Sequence, residues 1–165
     1  MTLVGIGINN RTNRAAISAA DEREYRKWRR EMVLRQGSEA LETVLLASDT
    51  LSDVLTGYSY SGKTLDDFVD TIYECERKLD AIGATLDMLD AHAVAKACGE
   101  IKIQMMDALD PAREVWSLRE ARKMPIDDRP LETYVGILYR FRDQLSHVVN
   151  AELHRQAQSD ERTTG

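Results

Sequence analysis

Residues 11–56 contain no proline and a single glycine, Gly37. Nothing else in the chain restricts its fold as strongly. Such a run, rich in Ala, Leu, Glu and Arg, predicts one very long helix from near Arg11 to about Thr56. Over its second half Leu34, Leu41, Val44, Leu51 and Leu55 recur at steps of three, four or seven, which predicts one apolar stripe interrupted by Ser38 and Ser48. Gly37 costs about 1 kcal/mol against Ala, and Ser38 with Glu42 offers a restart, so a kink there is also compatible with the sequence.

Further along, "TGYSYSGKT" (Thr56 to Thr64) reads as a loop, bounded by Gly57 and Gly62 and without apolar periodicity. Thr64 is the expected N-cap of a second helix, with Asp66 and Asp67 in its first turn. Its stripe is Phe68, Ile72, Cys75, Leu79, Ile82, Leu86 and Leu89. Asp90 is a candidate cap for a third helix carrying Val94, Ala97, Cys98, Ile101, Met105 and Leu109. No Gly or Pro marks that junction, so residues 65–109 read equally as one helix or two. Pro111 either kinks the third helix or opens a new one, and the helix resumes through Val115, Trp116 and Leu118. "PIDDRP" (Pro125 to Pro130) is a stop, and a last helix from near Leu131 carries Tyr134, Val135, Leu138, Phe141, Leu145 and Val148 before fading around Gln158.

These segments predict an all-α protein, an antiparallel four-helix bundle with an overlong N-terminal helix. At 1.5 Å per residue the first helix would span roughly 65–70 Å against about 35–50 Å for its partners. The expected divisions are an apolar start and charged helical stalk at 1–33, a bundle at 34–158, and a disordered tail at 159–165.

Composition removes several functions. The net charge of −6 argues against a general nucleic-acid binder, which needs a surplus of Lys and Arg to neutralise phosphate. Cys75 and Cys98 form no Cys-x-x-Cys pair, lie near no histidine at a metal-ligand spacing, and sit at apolar helix positions. "MTLVGIGI" is too short for a signal-peptide core, and no run approaches the roughly 20 apolar residues of a membrane span. The default compartment is therefore the cytoplasm, and no cofactor is implied.

Three patterns invite chemistry. Glu39-x-x-Glu42 and Asp67-x-x-Asp70 place paired carboxylates on helix faces, a spacing suited to a hard cation such as Mg²⁺. They resemble the acidic pairs of all-α nucleotide pyrophosphatases of the MazG type, with Asp67 in place of the expected Glu. Measured from Leu41 and Ile72, however, these acids turn away from the core, where a bundle metal site needs them inward. "GYSYSGKT", Gly57 to Thr64, satisfies the phosphate-loop expression and makes Lys63 and Thr64 candidate nucleotide contacts, but the motif's mechanics require a preceding β-strand. His92, His147 and His154 are too scattered for a helical metal site.

"DEREYRKWRREMVLR", residues 21–35, poses the remaining question: a nucleic-acid grip, a membrane-surface anchor, or the solvated side of a helix. Ile17, Asp21, Tyr25, Trp28 and Met32 lie along one side at helical steps, while Glu22, Glu24 and Glu31 interleave with the cations. Glu22–Arg26 and Glu31–Arg35 have the favourable i, i+4 arrangement. The favoured expectation is a salt-bridged helix whose seam of Ile17, Tyr25, Trp28 and Met32 packs on a partner, most simply another copy of the chain.

The run "NNRTNRAAISAADEREYRKWRREMVLR", residues 9–35, also resembles the segment after an N-terminal membrane anchor in small uncharacterised actinobacterial and actinophage helical proteins. In those an apolar span leads into Asn/Arg-rich residues and a charged helix with a Lys-Trp-Arg-Arg core. The resemblance implies a membrane surface as partner and no known activity. Leu3 to Ile8 is far too short to be that span, and reads as the tail of an anchor or as an apolar plug. The functional expectation is a non-catalytic interaction or scaffolding protein that self-associates, at the cytoplasmic membrane face if the resemblance holds. The alternative is a helical nucleotide-binding protein or Mg²⁺-dependent nucleotide hydrolase.

Overall fold

The computed structural model describes the backbone of residues 3–57, 64–121 and 126–164, and the side chains of 20–57, 64–121 and 126–158. Among the described residues the only regular structure is helix, with no strand. The helices are α1 (Leu3–Thr56), α2 (Leu65–Met88), α3 (His92–Asp107), α4 (Leu109–Glu120) and α5 (Arg129–Thr164). The chain divides into two compact units, Met1–Met32 and Val33–Gly165.

In the Val33–Gly165 unit, α2 forms where the sequence places it. Thr64 Oγ1 accepts from the Asp67 amide at 3.2 Å while Asp67 Oδ2 accepts from the Thr64 amide at 2.7 Å, a reciprocal capping box. All seven stripe residues from Phe68 to Leu89 are buried. Helix α2 packs against α3, which in turn packs on α5.

The junction that the sequence leaves open is a break between α2 and α3. Ala91 N donates to Leu86 O at 2.9 Å and Asp90 N to Asp87 O at 3.0 Å, and Asp90 has φ 53°. This is a Schellman turn with Asp at the position glycine usually takes; Leu86 and Ala91, the pair that closes its apolar contact, are both fully buried. Asp90 is therefore the left-handed residue that ends α2, not the cap of α3, whose N-cap is Ala91 without a side-chain bond. Glu152 holds this corner from α5. Its carboxylate, 5% exposed, accepts from Gln156 Nε2 at 2.9 Å and from Arg155 at 2.7 and 3.0 Å, and Arg155 donates on to Asp90 O at 3.4 Å.

Of the two readings at Pro111, the structure has a new helix: α3 and α4 are separated at Ala108. Pro111 falls in the first turn of α4, where its missing N–H has no intrahelical acceptor to lose. Trp116 of α4 stacks on Phe68 of α2, with ring centroids 6.3 Å apart. Before α5, Asp127 takes the Arg129 guanidinium in a fork at 2.8 Å on each oxygen, and this bond holds the Asp127 carboxyl below its usual range. The last helix reaches Thr164, beyond the expected fade at Gln158. Val149, rather than Val148, lies on its buried face with Leu131, Val135, Leu138 and Leu145.

The main departure concerns α1. Its buried face in the Val33–Gly165 unit is Val33, Ala40, Val44, Ala47, Leu51 and Val54. Leu34, expected in the core stripe, is 51% exposed, and Leu41 and Leu55 are only half-buried. Small residues face inward because α5 runs close. A Cβ on Gly37 would lie 2.8 Å from both methyls of Val149. Thr43 and Ser48 are tolerated in the same face because their hydroxyls donate to the Glu39 and Val44 carbonyls of the preceding turn. The helix ends at Gly57, φ 70°, whose amide donates to Asp53 O at 2.9 Å, while Arg119 of α4 donates to Leu55 O.

Candidate functional site

Two exposed apolar features lie on α1, one in each unit. In Met1–Met32, Tyr25 and Trp28 are 55% and 49% exposed, with ring centroids 5.7 Å apart and planes inclined at 33°. Met32 is half-buried, and the side chain of Ile17 lies outside the described residues. Arg26 pairs with Glu22 as expected; Glu31 pairs with Lys27 at 3.9 Å. The acids thus neutralise part of the basic run, and among the described side chains of this unit the aromatic rings are the large apolar surface left open.

In Val33–Gly165, Leu34, Leu45 and Leu46 are exposed, and Leu41 is half-buried between them. Leu45 and Leu46 play no part in the sequence expectation. The signal that would have found them is a second periodic set, Val33, Gly37, Ala40, Val44, Ala47, Leu51 and Val54, which competes with the leucines for the core.

Three of the residues read as chemical sites, Glu39, Thr64 and Asp67, are engaged structurally. Glu39 pairs with Lys78 of α2 at 3.3 Å, whereas Glu42 and Asp70 are exposed. Asp67 belongs to the Thr64 capping box, so the Thr64 hydroxyl is engaged in starting α2. Lys63 lies outside the described residues. Among the described residues no group of three His, Cys, Asp or Glu is placed to hold a metal ion.

A groove of about 460 Å³ runs along α2 and α3, floored by Gly83, Ala84, Ala95 and Gly99. Its rims are charged but internally paired: Lys102 with Asp80 and Glu76, His92 Nδ1 with Asp87 at 2.6 Å, and Lys96 with Glu100 at 3.6 Å. Lys102 Nζ donates to Asp80 Oδ1, and this bond raises the lysine above its ordinary range. Cys98 beneath the groove is pushed up to about 11, chiefly by burial, so at neutral pH it is a protonated thiol and a poor nucleophile.

Comparison with known proteins adds no relative: no protein-family model matches the chain, and neither curated proteins nor solved structures give a match. Among the described residues no helix is long and apolar enough to cross a membrane. Among the described residues, the exposed large apolar side chains are Tyr25, Trp28, Leu34, Leu45 and Leu46 on α1, with Met88 and Ile103 elsewhere.

Proposed function

We propose that this is a non-catalytic interaction or scaffolding protein that self-associates through the aromatic side of the N-terminal part of α1, and that residues 33–158 are its antiparallel helical bundle. The observation that carries the reading is the exposure of Tyr25 and Trp28 side by side. Paired aromatics are the side chains interfaces most often use as anchors, and their exposure in water is unfavourable. For the antiparallel arrangement the support is the order of the contacts. Gly37 neighbours Val149 and Asp49 meets Tyr139, so numbers rise along α1 as they fall along α5. Asp80 with Lys102, and Gly83 with Ala95, give the same order for α2 and α3.

The test is the solution mass of the full chain against Tyr25→Ala/Trp28→Ala. A larger wild-type assembly that the double variant reduces is expected, and an unchanged mass overturns the reading. Cosedimentation with anionic vesicles separates a membrane partner from a second copy. Melting with Mg²⁺ and a panel of nucleoside triphosphates addresses the enzyme alternative, and a shift with any nucleotide would count against a non-catalytic protein.

A further inference from the structure

The leucines of the Val33–Gly165 unit form a more defined surface than exposure alone conveys. Leu34, Ser38, Leu41 and Leu45 are spaced four, three and four residues apart, which at 100° per residue keeps them within an arc of about 60°. This is the step pattern of a coiled-coil seam. Leu34 and Leu45 are 51% and 40% exposed, Ser38 is exposed, and Leu41 is half-buried. The arc borders the buried face, so α1's own core closes one flank. Arg35 and Glu42, both exposed, line the other flank.

We infer that this arc is the docking surface for a second copy of the chain, with the two α1 segments antiparallel. Two features of the residues select that occupant. The spacing reads the same in both directions, so an antiparallel two-fold sets Leu34 against Leu45 of the second copy and Ser38 against its Leu41. Such an isologous contact closes on itself. The flanking charges are also complementary under the same symmetry. Arg35 and Glu42 are seven residues apart in one chain, roughly 10.5 Å along the axis, too far to pair with each other. Across the two-fold they share one side of the seam, and each Arg35 comes within two residues, roughly 3 Å along the axis, of Glu42 of the second copy, within reach of its long side chain. In a parallel pair the two flanks lie on opposite sides of the seam and do not meet.

The surface uses residues other than Tyr25 and Trp28, so it deepens the self-association reading without depending on the aromatic pair. Sedimentation equilibrium of the full chain from micromolar to millimolar concentration tests it, with circular dichroism confirming that each variant folds. Leu34→Glu/Leu45→Glu changes only exposed positions and is expected to raise the dimer dissociation constant ~10-fold or more. Arg35→Glu sets acid against acid and should weaken the dimer as well, while Arg35→Glu/Glu42→Arg restores it. A wild type that stays monomeric throughout overturns the inference. So does a dimer indifferent to the leucine changes, or a double charge swap no better than Arg35→Glu. A dimer lost in Tyr25→Ala/Trp28→Ala but kept in the leucine variant supports the aromatic seam and overturns the leucine one.

Discussion

Gly37 of α1 and Val149 of α5 approach so closely that a β-carbon on the glycine would sit 2.8 Å from each valine methyl. Those methyls branch from Cβ and have one stiff torsion, so they cannot swing aside as the end of a long side chain would. The glycine is therefore a packing residue, and the kink that its position invites is not needed to explain it. Gly37→Ala gains about 1 kcal/mol of helix propensity but incurs overpacking of roughly 1–3 kcal/mol. A net loss in urea unfolding is expected, and Val149→Ala, which removes the obstructing methyls, should make Gly37→Ala less harmful than in the wild type.

Gly136 provides the opposite case. It is exposed on α5, and a Cβ there meets nothing within 4 Å. Gly136→Ala should stabilise by up to about 1 kcal/mol, since it restricts the unfolded chain and favours helix without a steric cost. A rise in Tm of roughly 2–4 °C is expected for a chain of this size.

The capping box at the start of α2 rests on two side chains. Thr64→Ala removes the acceptor for the Asp67 amide and should cost about 1 kcal/mol, whereas Thr64→Ser retains it and should cost much less. Equal losses in denaturant titrations of the two variants would show that the hydroxyl does not cap the helix.

Burial of Cys98 makes stability depend on alkaline pH. Its thiol is pushed up to about 11 in the folded chain, above an ordinary value of 9.0. Below the ordinary value both states hold the proton and the group adds no pH dependence. As pH rises from there towards 11, the unfolded chain loses the proton first, so folding stability falls by an amount on the order of 2–3 kcal/mol and then levels off. Unfolding curves collected from pH 8 upwards should therefore fall less steeply for Cys98→Ala than for wild type, and parallel curves would refute the assignment.

Much of the helical plan was determined by sequence alone, because its signals are local. The absence of proline from 11–56 predicts a long helix ending near Thr56, although α1 starts earlier than expected, at Leu3 rather than near Arg11, and the Thr64 cap with the stripe from Phe68 to Leu89 predicts α2. Competition between alternatives of similar local merit needed the tertiary structure. On α1 the leucine arc and the small-residue arc both satisfy helical periodicity. The leucines are the more hydrophobic set, yet α5 approaches Gly37 too closely for large side chains to fill that interface, so the small set turns inward and Leu34 and Leu45 remain outside. The α2–α3 corner is similar: without glycine it carries no local mark, and Asp90 enters the left-handed region in a turn that Arg155 contacts from 65 residues away. Local propensity chose where helices form, and close packing between distant segments chose which face each one buries.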